Sequence, residues 1–194
     1  MSEFRLYYEL GLEHILDING YDHILFIIAL CAIYLIEEWK QILILVTAFT
    51  IGHSVTLALS TLDILSTDKD LIEFLIPVTI LITALANIFV KSTNPSPGRT
   101  KLNYVFAAVF GLVHGLGFSN YLKSLLGRDT SIVTQLFAFN IGLEVGQIII
   151  VGIFMIGAFL SVTIFGVSRK DWKLVISAAV AGIAFTLVQE TMYW

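Results

Sequence analysis

From Ile24 onward the chain is a succession of long apolar runs separated by short charged patches. A helix needs roughly 20 apolar residues to cross the hydrocarbon layer of a bilayer, which is about 30 Å thick. The runs are continuous rather than alternating, which excludes a transmembrane β-barrel. Composition agrees, because 57% of the residues are hydrophobic and 13% are charged, where a soluble domain carries about 25% charged residues. The pattern predicts an all-α, polytopic membrane protein with a single transmembrane domain over residues 1–194. It excludes an ordinary soluble enzyme and a disordered chain. A formal net charge of −4 offers no basic surface to nucleic acid.

The runs predict a bundle of six transmembrane helices, at about 22–36, 41–62, 71–90 and 102–118, one within 132–167, and 172–193. The first is short, so residues before Asp22 are expected to help complete it. Residues 1–20 read as a short outer N-terminal segment. They do not read as a signal peptide, because Glu3, Glu9, Glu13 and Asp17 stand where a basic region and an apolar core belong. The first transmembrane helix is therefore expected to serve as the membrane address. Asn94, Pro95, Ser96, Pro97 and Gly98 mark a loop that no helix tolerates in its middle.

Basic residues set the expected direction. Lys40, Lys91, Arg99, Lys101, Arg169, Lys170 and Lys173 fall on one side, against Arg5, Lys69, Lys123 and Arg128 on the other. The bias places both termini on the non-cytoplasmic side. Asp63, Asp68, Asp70, Glu73 and Asp129 share that outer side, where they would concentrate cations. The single cysteine, Cys31, lies in an apolar run and reads as a small core residue.

Histidine and carboxylate are costly inside a membrane and mark function there. The chain has four histidines, His14, His23, His53 and His114. At about 1.5 Å per residue, His53 lies roughly 18 Å above Gln41 and His114 roughly 20 Å above Lys101. Both fall in the outer half of the membrane. His23 begins the first crossing, Glu190 ends the last, and Glu144 lies between the outer interface and the midplane. Asn140, Glu144 and Gln147 share one helical face, expected to point into the bundle as polar lining. Gly111, Gly115 and Gly117 around His114 let another backbone approach. Asp22 reads as a helix cap, as a partner that orients His23, or as both. His14 and Glu190 stay open between ligand and interfacial residue.

Neutral imidazole with carboxylate suits a divalent metal ion, nickel, cobalt or zinc. Two functions follow. One is a permease for such a cation. The other is an intramembrane zinc hydrolase acting on a lipid or peptide bond, with Glu144 or Glu190 as general base. Few ionisable residues lie on the inner half of the crossings, which keeps the hydrolase alternative open. No nucleotide-binding motif is present in the sequence.

Four ordered segments resemble the HupE/UreJ family, and within it the second, UreJ-like branch. They are Gly20-Tyr21-Asp22-His23-Ile24-Leu25-Phe26, Phe49-Thr50-Ile51-Gly52-His53-Ser54-Val55-Thr56-Leu57, Phe110-Gly111-Leu112-Val113-His114-Gly115-Leu116-Gly117-Phe118 and Phe139-Asn140-Ile141-Gly142-Leu143-Glu144-Val145-Gly146-Gln147. The resemblance implies a small multi-pass permease for nickel, sometimes cobalt, in a bacterial cell membrane, and a functional link to hydrogenase or urease maturation. By the same resemblance His14, Asp22 and His23 match a histidine–aspartate–histidine motif, His114 a histidine–glycine motif, and Glu144 the acidic residue of the fifth crossing. The leading expectation is therefore a nickel or cobalt permease whose site includes His23, His53, His114 and Glu144, with the lipid bilayer as its environment. Assembly as a homo-oligomer is left open.

Overall fold

Helix starts follow local chemistry. Ser2 opens α1 (Glu3–Leu16) by accepting from the Arg5 N–H. Asp68 opens α4 (Lys69–Phe89) by accepting from the Asp70 N–H, and Ser168 opens α7 (Arg169–Glu190) by accepting from the Asp171 N–H. Each oxygen satisfies a donor that the first helical turn leaves without a partner. Pro97 stands at the first position of α5 (Pro97–Leu126), where its missing N–H does no harm. The remaining helices are α2 (Asp22–Cys31), α3 (Trp39–Thr61) and α6 (Ile132–Phe159). A 3₁₀ turn, Ile36–Glu38, leads into α3, and a π-helical turn, Leu160–Ile164, prolongs α6.

The structure is a computed structural model and describes residues 2–90, 97–126 and 132–194. Among these residues it is all-helical, with no strand. The expected loop residues Asn94, Pro95 and Ser96, with Lys91, Arg128 and Asp129, lie outside the described residues. Five segments are long and apolar enough to cross a membrane: Ile36–Thr61, Lys69–Phe89, Thr100–Ser119, Ile132–Ile164 and Arg169–Glu190. These match the second to sixth expected runs to within a few residues.

The first run differs. Over 22–36 the chain forms α2, of 10 residues, about 15 Å long, short of what a regular helical crossing takes. Residues 32–35 of that run form a turn, and the short segment expected before it contains a 14-residue helix, α1. Asp17 makes the break: its Oδ1 accepts from the Asn19 N–H at 2.8 Å, an Asx turn that competes with helix. Seven of the ten α2 residues are buried, and α2 touches α1, α3, α4, α6 and α7. It is short because it is a core element rather than a lipid-facing one.

Three helix pairs surround it: α3 with α5, α1 with α6, and α4 with α7. Two of the pairs rest on glycine. A methyl at Gly111 would collide with the Phe49 carbonyl oxygen, and one at Gly52 with the Ala108 carbonyl oxygen. Phe49 faces Gly111 and His53 faces Gly115, so α3 and α5 run parallel with their backbones in contact. In the same way Gly11 meets Phe139, and Gly142 meets Tyr8. Such close approach gains dispersion and interhelical contact where lipid offers no hydrophobic drive.

The end of the bundle that carries Arg169 is tied shut. The Arg169 guanidinium donates to both Glu38 carboxylate oxygens, at 2.8 and 2.6 Å, and to the Ile33 carbonyl at 2.8 Å. The ammonium of Lys173, itself buried, donates to the Val90 carbonyl at the end of α4. A cation is well placed at a helix C-terminus, where carbonyls lack partners.

Candidate metal centre

Four histidines from four helices converge. The glycine contacts between α3 and α5 bring His53 and His114 to one level. The turn at 17–21 folds His14, in the last turn of α1, back onto His23, the second residue of α2. Ring centroids lie 4.6 Å apart for His14–His23, 6.0 Å for His14–His53, 6.1 Å for His23–His53 and 5.2 Å for His23–His114.

Hydrogen bonds fix which nitrogen each ring presents. The Asp22 carboxylate can only accept, so His23 Nδ1–H donates to its Oδ1 at 3.1 Å. The same oxygen accepts from the His23 backbone N–H at 2.9 Å, so Asp22 both caps α2 and orients the ring. His114 Nδ1–H donates to the Phe110 carbonyl at 2.9 Å. In both rings the bare nitrogen is then Nε2. His23 Nε2, His114 Nε2, His14 Nε2 and both nitrogens of His53 are buried without a protein partner. Buried polar atoms are nearly always bonded, and an imidazole held at one nitrogen with the other bare is how proteins present a metal ligand.

Ligand atoms of His14, His23 and His53 all lie within 4.8 Å of one another. Nitrogens bound at about 2.0–2.1 Å around one tetrahedral ion are roughly 3.4 Å apart. The widest pair among the three needs to close by at most about 1.4 Å to hold an ion. His114 stands beside them, its ring packed between Phe26 and Phe49 at 5.2 and 5.3 Å.

The site has an open side and a sealed side. A cavity of about 240 Å³ is walled by His14, His23 and His114 together with Asp17, Asp22 and Glu73. Phe26 and Phe49, which pack on His114, lie 5.1 Å apart, and Phe26 lies 5.5 Å from Phe110. Phe110 is also a wall of a separate cavity of about 210 Å³ that presents Thr83, Asn87 and Asn103. Phe110 in turn packs on Phe26, whose ring lies 5.2 Å from that of His114.

The other expected residues are placed elsewhere. Glu144 is half-buried and accepts from Thr47 Oγ1 at 2.8 Å. Gln147 is fully buried and accepts from Thr50 Oγ1 at 2.7 Å. Both bonds join α6 to α3. Asn140 has a buried Oδ1 without a partner. Glu190 is exposed at the end of α7. Among the described residues, neither glutamate belongs to the group whose ligand atoms converge. Sequence reasoning missed the aromatic shell of Phe26, Phe118 and Phe139. Phe26 and Phe118 lie close in sequence to His23 and His114, whereas Phe139 has no histidine near it in the chain.

Comparison with known proteins gives one match. The family model described as "HupE / UreJ protein" matches residues 1–194. No curated protein and no solved structure matches the chain.

Proposed function

The chain belongs to the HupE/UreJ family, and from that premise we propose that it is a membrane permease for a divalent transition-metal cation, nickel or cobalt. The observation that carries this is the buried set of bare imidazole nitrogens at the floor of an open cavity. Imidazole binds nickel and cobalt well, and thiolate ligands for softer ions are missing. His14, His23 and His53 form the binding set, His114 completes or relays it, and Asp22 positions His23.

In this proposal α2, with the turn after it, is the first of six crossings, and both termini are outside the cytoplasm. The cavity beside Asp17 and Glu73 is then the outer mouth. The Arg169–Glu38 pair closes the cytoplasmic end, and the cavity at Asn87 and Asn103 lies on the path inward. Transport is favoured over hydrolysis by the state of the carboxylates. Glu144, half-buried, accepts from Thr47, and Glu190 is exposed at the end of α7, so neither carboxylate expected as general base belongs to the converging imidazole group.

The test is nickel and cobalt uptake into liposomes that contain only the purified protein, with metal analysis of the same sample. Uptake that is lost in His23→Ala and His53→Ala is the expected result. Bound metal without uptake would refute the permease and return the hydrolase.

A further inference from the structure

Glu73 lies one helical turn inside α4, at the mouth of the histidine cavity. Two cavities meet at this point, of about 240 and 410 Å³, and the carboxylates that line both are Asp22 and Glu73. Asp22 is held by His23. The Glu73 charge is instead paired with an exposed ammonium, Lys69 Nζ, at 3.1 Å from Oε1. An exposed pair of this kind contributes little and exchanges readily.

A second feature lies four residues on. Pro77 stands inside α4 and has no N–H, so the Glu73 carbonyl loses its helical donor. Pro77 and Glu73 line the same cavity. Glu73 therefore supplies both a carboxylate and a backbone carbonyl relieved of its helical hydrogen bond. At the back of the smaller cavity are the bare, buried Nε2 atoms of His23 and His114. Oxygen ligands stand at the front and nitrogen ligands at the back.

We propose that Glu73 is the entrance residue of the pathway: an oxygen-based station that captures the hydrated divalent cation and passes it to the histidines. The proposal rests on the permease reading of the same site. Its logic is a gradient of affinity. A carboxylate attracts the hydrated ion over a distance, and the low-dielectric walls focus its field. Oxygen ligands hold nickel and cobalt less tightly than imidazole does, so the ion moves on. Lys69 is the resident counter-ion that the divalent cation displaces.

The experiment follows cobalt binding to the purified protein by stopped-flow absorbance, since histidine-bound cobalt gains visible bands. Wild type, Glu73→Gln, Glu73→Asp and Lys69→Gln are compared at low and high salt. Glu73→Gln should bind about tenfold more slowly at low salt, with the same final spectrum and stoichiometry, and the difference should shrink at high salt. Glu73→Asp should recover most of the rate, and Lys69→Gln should exceed wild type two- to threefold. Equal rates for wild type and Glu73→Gln would overturn the entrance role alone. A changed final spectrum in Glu73→Gln would also overturn it, by making Glu73 a ligand of the tight site. No spectrum from wild type would overturn the metal reading and this role with it.

Discussion

Gly115 of α5 packs so closely on α3 that a methyl group there would meet the His53 carbonyl oxygen and the Thr56 hydroxyl. The contact sets the distance between the helices that carry His53 and His114. Gly115→Ala should push them apart and destabilise the protein by about 1–3 kcal/mol, the usual scale of overpacking. Thermal unfolding in detergent checks the first effect, and metal content of the purified variant should fall with it. A variant with unchanged melting and full metal would show that the helices can separate freely.

Asp22→Asn keeps the size of the side chain and removes its charge. The His23 ring then loses the acceptor that fixes its tautomer and raises its basicity. Metal affinity should drop about 10- to 100-fold, the range found for such orienting partners, while helix content stays unchanged. Competition titration against a chelator measures it. Unaltered affinity would reduce Asp22 to a cap of α2.

His14→Ala, His23→Ala and His53→Ala should each abolish one tightly bound metal equivalent. His114→Ala should weaken binding without abolishing it, because its ring adjoins the converging three. Elemental analysis of purified protein decides. Metal retained in His53→Ala would make the buried histidines structural.

Glu144→Gln should keep its metal. Its carboxylate is bonded to Thr47 of α3, so the change should act on α3–α6 packing instead. Interhelical hydrogen bonds in membranes contribute about 0.6 kcal/mol on average, and a loss of stability of that order is expected. Loss of metal from Glu144→Gln would place Glu144 among the ligands.

Reporter fusions at Gly98 and at the C-terminus should report opposite sides of the membrane. Reports from the same side would refute the six-crossing arrangement.

Much of the fold was readable in advance because its signals are local. Twenty-residue apolar runs announce α3 to α7, and glycines flanking His114 announce a close helix. The break between α1 and α2 was not readable. The run from Ile24 onward is apolar enough for an ordinary crossing, and the burial of α2 on all sides is decided by five other helices. His53 and His114 could be placed by counting along straight helices. His14 could not, because its position depends on the Asp17 turn. The bond from Thr47 to Glu144 was out of reach for a related reason. Helical periodicity shows that Glu144 shares a face with Asn140 and Gln147, but which neighbour that face meets is set by α3.

The burial of α2 has a consequence for how the protein is made. The neighbours of α2 include α4, α6 and α7, which follow it in the chain and are synthesised later. At ten residues it is too short to be a stable insert on its own. The histidine cluster therefore cannot be assembled in step with synthesis. It has to wait until α6 and α7 arrive to enclose α2, so helices translated later complete a site whose ligands on α1 and α2 were translated before them.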